Sequence, residues 1–182
     1  VAIGKNALST ATTQTDNVGV GMHALAASAV SHTTAIGSYS LYQNTTGTGN
    51  TGVGYTTLEE NTTGSDNTAV GSDALDANTT GANNTAVGQQ ALSANTTAND
   101  NTAVGKNSML TNTEGYSNTA IGIYSLRQNS GGHNNVAVGQ SALLNNTTAE
   151  HNIAVGYNSA YNNTTGTRII AIGTNAYDDS DT

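Results

Sequence analysis

The chain has 182 residues, a formal net charge of −8 and only 9% charged residues, about a third of the share found in average domains. The acidic balance argues against nucleic acid or an anionic membrane surface as a partner, and the absence of Cys excludes disulfides and Cys-ligated metals. No apolar run approaches the roughly 20 residues of a membrane span, so we expect no membrane insertion.

One short motif recurs along the whole chain: a small residue, then Val or Ile, then Gly. Nine of the ten gaps between successive motif glycines are 17 residues, and the gap from Gly21 to Gly37 is 16. A fixed short period indicates units that stack, because one unit cannot bury its apolar face alone. We therefore predict a single elongated repeat domain over residues 1–182. The motif glycines are Gly4, Gly21, Gly37, Gly54, Gly71, Gly88, Gly105, Gly122, Gly139, Gly156 and Gly173.

Each repeat begins with a predicted strand that ends at the motif glycine, which we call position 0. Position −1 is always Val or Ile, position −2 is Ala or Gly, and position −3 is β-branched, as in Thr68, Ala69 and Val70. This alternation with period two is typical of a short strand. We expect the β-branched side chains to form a buried apolar seam along the stack. We expect the Ala/Gly face to pack against other chains, because small residues let backbones approach closely.

After the glycine, position +3 is always small and position +4 is usually Leu, the predicted apolar anchor of each coil. At Met109 and Ala160 the anchor is expected to move one residue on, to Leu110 and Tyr161. A turn follows, most often Asn-Thr-Thr-Gly, whose Asn and Gly tolerate left-handed backbone. Helical repeats need roughly 33 residues or more, so the unit predicts an all-β fold. We expect a parallel β-solenoid, or β-roll, of eleven ~17-residue coils that is about 50 Å long.

The Asn-Thr-Ala-Val-Gly and Ala-Leu pattern, as in 67–71 with Ala74 and Leu75 and again in 101–105, resembles a known family. It looks like the head repeats of trimeric autotransporter adhesins of the YadA type, and like related arrays in phage tail fibres and other surface fibres. The resemblance covers essentially the whole chain, although the family's repeat is shorter and lacks the Asn-Thr-Thr-Gly insertion. It implies a left-handed β-roll, three chains around one axis, and an adhesive or structural extracellular role without catalytic residues.

Tyrosines are the only aromatic residues of the Phe, Trp and Tyr set, and their rigid amphipathic rings can stack on the faces of sugars. Packing on the surface of the rod is the alternative. A recognition site should interrupt the repeat, which directs attention to the 16-residue repeat with 29–32 in its turn and to the turn at 131–133. The candidate surface contacts are Tyr39, Tyr42, Tyr55, Tyr124, Tyr157 and Tyr161.

Two clusters of titratable residues follow from stacking the repeats. A metal site needs three or four converging donors, and a catalytic site needs a pocket that the flank of a solenoid does not imply. We therefore expect exposed, solvated side chains in both places, with no metal, no cofactor and no enzymatic activity. The clusters are His133 with Glu150 and His151, and Glu59 and Glu60 with Asp73 and Asp76.

Stacked Thr residues in the turns, in columns that begin at Thr45 and Thr46, suggest ice binding as a weaker alternative. Adjacent residues of an extended chain face opposite ways, so a flat two-Thr array would require a spacing of two. Hydrogen bonding of stacked Thr side chains along the rod is the simpler interpretation.

These features predict a structural shaft or head segment of a fibre, located outside the cell, at the cell surface or in a virion tail fibre. A glycan- or surface-binding adhesin module is the alternative. The expected partner is the chain itself, as a homotrimer or as an end-to-end filament, because open solenoids expose unpaired strand edges. The chain starts in mid-repeat at Val1, so we expect it to be a segment or a processed product of a longer protein.

Overall fold

A computed structural model describes residues 1–10, 15–28 and 30–177, and these residues form an all-β parallel solenoid with one coil per repeat. Each strand pairs in parallel with the next strand along the chain, as in Thr68 with Thr85. The predicted fold class is confirmed. The strands are β1 (Ala2–Ile3), β2 (Val18–Val20), β3 (Thr34–Ile36), β4 (Thr51–Val53), β5 (Thr68–Val70), β6 (Thr85–Val87), β7 (Thr102–Val104), β8 (Thr119–Ile121), β9 (Val136–Val138), β10 (Ile153–Val155) and β11 (Ile170–Ile172).

The sheet turns its Ala/Gly face into the coil and its β-branched face outward. Ala69 and Ala86 are fully buried, whereas Ile36 and Ile121 are each 41% exposed. The two expectations for these faces, a buried β-branched seam and an Ala/Gly face against other chains, are therefore wrong. The reason is volume: a Cβ added at Gly19 would lie 3.1 Å from Leu8 Cγ, so the interior has room for little more than a methyl group opposite the Leu column.

A single column of large side chains at position +4 fills the interior. Its members from Leu25 to Leu143 are fully buried, and Met109 and Ala160 continue the column without a change of register. Leu110 and Tyr161 are only partly buried, so the predicted shift of the anchor at these two rungs is wrong. The apolar core is therefore one Leu-sized side chain wide, with Ala packed against it.

The coil turns its corners through left-handed backbone at positions that the sequence did not indicate. In the fifth repeat φ is 58° at Asp66, 57° at Asp73 and 52° at Leu75. The Asn-Thr-Thr-Gly turn contains no such residue. Gly64 is needed there for space, because an added Cβ would lie 2.5 Å from Asn61 Oδ1.

Two ladders of buried asparagines run along the inside of the rod. In the turn ladder, Asn61 Nδ2 donates to Asn44 Oδ1 at 2.7 Å and to the carbonyl of Gly64 at 2.9 Å. In the strand ladder, the backbone N–H of Asn84 donates to Asn67 Oδ1 at 3.0 Å. Because each amide bonds the adjacent coil, the polar groups of the interior are satisfied only when the coils stack. The turn ladder comprises Asn44, Asn61, Asn78, Asn95, Asn112, Asn129, Asn146 and Asn163, and the strand ladder Asn50, Asn67, Asn84, Asn101, Asn118, Asn135 and Asn152.

Candidate functional site

One surface repeats on every coil: the outer sheet face, which we define as the side chains at positions −3 and −1 of each repeat, on or directly beside strands β1 to β11. None of these strands contains a charged residue. From β3 to β8 the face consists of Thr at −3 and Val or Ile at −1, and from β9 to β11 both columns are aliphatic. Ile170 and Ile172 are 71% and 70% exposed. The result is a neutral, β-branched surface along the whole sheet.

The Thr columns of the turns and of the strands have different environments. In the turns, Thr45 Oγ1 donates to the carbonyl of Thr62 at 2.9 Å, and Thr62 Oγ1 donates to the carbonyl of Thr79 at 3.0 Å. These hydroxyls bond along the rod, as the simpler interpretation of the turn columns predicted. The strand hydroxyls, such as those of Thr68 and Thr85, have no protein hydrogen bond in the part of the chain that the structure describes.

The 16-residue repeat contributes to an aromatic cluster that contains two of the candidate tyrosines. The His23 ring stacks on the Tyr39 ring with centroids 5.1 Å apart, and Tyr42 meets both rings edge-on. His23 was not among the predicted contacts, although it shares position +2 with Tyr39, and this column would have revealed it. A cavity of about 340 Å³ adjoins the cluster. Its lining comprises Asn6, Ser9 and Thr10 of the first coil, His23, Ala26 and Ala27 of the second, and Tyr42 of the third.

The other candidate tyrosines are scattered. Tyr55 and Tyr157 are 57% and 49% exposed and stand beside the outer sheet face at position +1. Tyr124 lies under Arg127, whose guanidinium carbon is 5.3 Å from the ring centroid. Tyr161 is partly buried. These four therefore form no shared site.

The residues around the 131–133 turn form the neighbouring group that the stacking predicted. His133 Nε2 pairs with Glu150 Oε2, and His151 Nδ1 lies 3.8 Å from the same carboxylate oxygen. Tyr116, which sequence reasoning did not select, stacks on His133 with ring centroids 4.6 Å apart. Among residues 1–10, 15–28 and 30–177, no group of three or more His, Cys, Asp or Glu side chains is arranged to hold a metal ion.

The turn at 29–32 of the 16-residue repeat, the other predicted interruption, lies partly outside the described residues, because Ala29 is not described. In the remainder of that turn, His32 is exposed, and its Nε2 lies 3.6 Å from Asp16 Oδ2.

The acidic cluster is less solvated than expected. Burial raises the pKa of Asp76 above its ordinary value of 3.8; a hydrogen bond from Ser93 opposes this, and the charge on Asp73 adds to it. Of the two carboxylate oxygens of Asp76, Oδ1 is buried and has no hydrogen-bond partner among the described residues. Burial also raises the pKa of Glu59, and the charges of Glu60, Asp76 and Asp73 raise it further. The expectation of a fully solvated patch is therefore wrong for Asp76.

In comparisons with known proteins, no protein-family model, no curated protein and no solved structure matches this chain. Across the described residues there is no long apolar helix of the kind that crosses a membrane.

Proposed function

We propose that this chain is a structural segment of an extracellular fibre, in which copies of the chain pack against one another through the outer sheet face. The observation that carries the proposal is the orientation of the sheet, which leaves Val or Ile partly or fully exposed on every coil while Ala faces the interior. Hydrophobic burial of this face against a second copy would offset the limited interior, which is one Leu-sized side chain wide.

A second copy of the chain is the partner that best fits this face. The side chains repeat along the rod at the strand spacing of about 4.8 Å, so another solenoid of the same period matches every coil at once. The chain carries a net charge of −8, yet its strands carry no charge, so two copies can meet here without facing like charges. The face covers on the order of 500 Å², near the upper end of the apolar patches that monomers expose.

The number of chains and the location follow from the resemblance to trimeric adhesin heads and tail fibres. We propose a trimer around the outer sheet faces, at a cell surface or on a virion. An end-to-end filament would instead pair β11 of one copy with β1 of the next, and it would appear in electron micrographs as particles of unequal length.

Sedimentation equilibrium at micromolar concentration tests the assembly. The wild type should have the mass of a defined oligomer, and the double variant Val70→Glu with Val87→Glu should be monomeric. The control, Thr63→Glu with Thr80→Glu, adds the same charge on exposed turn residues and should keep the wild-type mass. Circular dichroism should show the same β-signal in all three proteins. A monomeric wild type would overturn the proposal.

A second function, ice binding, is favoured by the strand Thr residues on the same face. Six successive coils, β3 to β8, place a Thr and a Val or Ile two residues apart on a parallel sheet. This is the spacing that a flat array requires, and the hydroxyls are not bonded to described protein groups. A monomeric wild type with thermal hysteresis, abolished by Thr68→Lys with Thr85→Lys, would establish this function instead. Absence of hysteresis in the wild type would exclude it.

A further inference from the structure

We infer that the cavity beside His23 and Tyr42, called the aromatic cavity below, binds a small neutral saccharide. The cavity is lined by residues outside the strands, so the inference does not depend on the proposed assembly through the outer sheet face. Its volume of about 340 Å³ lies at the lower end of the range for small-ligand sites.

The cavity results from side-chain size at position +5 of the first three coils. Ser9 and Ala26 are small, and Tyr42 on the next coil is large, so a hollow remains with the Tyr42 ring at one end. On the following coils the same position holds Glu59 and Asp76. The step from Ala26 to Tyr42 spans 16 residues instead of 17, so the hollow lies at the irregular repeat where the sequence directs attention to a recognition site.

The aromatic residues form a supported platform. The ring centroids of His23 and Tyr39 are 5.1 Å apart, those of Tyr39 and Tyr42 are 5.5 Å apart, and those of His23 and Tyr42 are 5.8 Å apart. Rings in such contact lose little further entropy when a ligand binds. They also leave no gap between them for a cation, which excludes an aromatic cage for a quaternary ammonium group. The ligand must lie against the outside of the cluster, as the C–H face of a sugar does.

The first coil supplies neutral hydrogen-bonding groups to the cavity. Ser9 Oγ and Thr10 Oγ1 donate to the carbonyl of Ala26 at 3.0 and 2.9 Å, which leaves their oxygen lone pairs as acceptors. The Asn6 amide adds both a donor and an acceptor. Among the described residues, no Asp, Glu, Lys or Arg lines the cavity, so none of them would compensate a charged ligand. Aromatic rings and neutral polar groups in one cavity match a saccharide with an apolar face and a rim of hydroxyls.

Saturation-transfer difference NMR tests the inference on the full chain. The probes are glucose, galactose, mannose, N-acetylglucosamine and their disaccharides at millimolar concentration. At least one sugar should receive saturation through its ring C–H protons, and Tyr42→Ala should weaken its binding at least tenfold. Tyr157→Ala removes an exposed, isolated ring and serves as the matched control, which should bind like the wild type.

A second variant keeps the experiment decisive if Tyr42→Ala does not fold. Ser9→Phe fills the cavity from an exposed position and leaves all three rings in place, so it should also abolish binding. Sedimentation mass should stay that of the wild type in both variants, because neither residue lies on the outer sheet face. The inference fails if no sugar receives saturation, if Ser9→Phe binds like the wild type, or if Tyr157→Ala weakens binding as much as Tyr42→Ala.

Discussion

The asparagine ladders should contribute as much to stability per residue as the leucine column, and Asn146 is the position to test. Its Nδ2 donates to Asn129 Oδ1 at 2.9 Å and to the carbonyl of Ala149 at 3.0 Å, and its Oδ1 accepts from Asn163 Nδ2 at 3.2 Å. Asn146→Ala removes these three buried hydrogen bonds, together with a longer one of 3.5 Å from Asn152 Nδ2 to Asn146 Oδ1, and leaves Asn129 Oδ1 without a donor. At about 1 kcal/mol for each bond, the expected loss in the free energy of unfolding is about 3 kcal/mol.

Asn145, which directly precedes Asn146 in the chain and lies outside the ladder, provides the matched control. Asn145 is partly exposed, and its Nδ2 makes only a long bond, 3.4 Å, to Asn162 Oδ1. Asn145→Ala should therefore change the free energy of unfolding by less than about 0.5 kcal/mol. Urea denaturation followed by circular dichroism gives both values, and hydrogen exchange shows whether the coils beside Asn146 open first, since repeat arrays can unfold locally. A difference between the two variants below about 1 kcal/mol would refute the ladder argument.

Two further predictions concern the motif glycines and the acidic cluster. At Gly88, where φ is 136° and a Cβ would lie 2.6 Å from the carbonyl of the next coil, Ala should cost at least about 3 kcal/mol in urea denaturation. Gly131→Ala, with nothing within 4 Å of the added Cβ, should change the free energy of unfolding by less than about 0.5 kcal/mol. Equal losses for Gly88→Ala and Gly131→Ala would contradict the close stacking of the coils at Gly88. Because the folded-state pKa of Asp76 is raised, the native state binds more protons and its stability falls as pH rises through and above the ordinary value of 3.8. Asp76→Asn should therefore stabilise the protein more at about pH 7 than at about pH 3, and the opposite order of urea midpoints would be inconsistent with this cause.

The coil could be predicted from the sequence because a constant period fixes which residues stack. The pairing of Thr68 with Thr85, and the proximity of His133 and Glu150, both follow from counting along the repeat. The aromatic cluster follows in part, since His23 and Tyr39 occupy the same position on successive coils.

The direction of each side chain could not be read from the alternation. A three-residue strand such as 68–70 shows only that Ala69 differs from its neighbours, and not which face lies inside. The volume of Leu75 decides this, because that side chain already fills the interior and leaves space only for Ala. Leu75 itself has a φ of 52°, a conformation that its own preference disfavours and that stacking with the next coil imposes. Tertiary packing, rather than local propensity, thus sets both the inward direction of Ala69 and the left-handed backbone of Leu75.

Chemical cross-linking of single cysteines tests most directly whether the outward Val and Ile side chains join copies of the chain. The chain contains no Cys, so Val87→Cys and Ala86→Cys each introduce one unique thiol on adjacent residues of β6. With a short bis-maleimide at micromolar protein concentration, Val87→Cys should form covalent species of two or more chains. Ala86→Cys, at a fully buried position, should stay unmodified until the protein is unfolded. Monomeric labelling of Val87→Cys without cross-links, or cross-linking through Ala86→Cys, would contradict the proposed assembly.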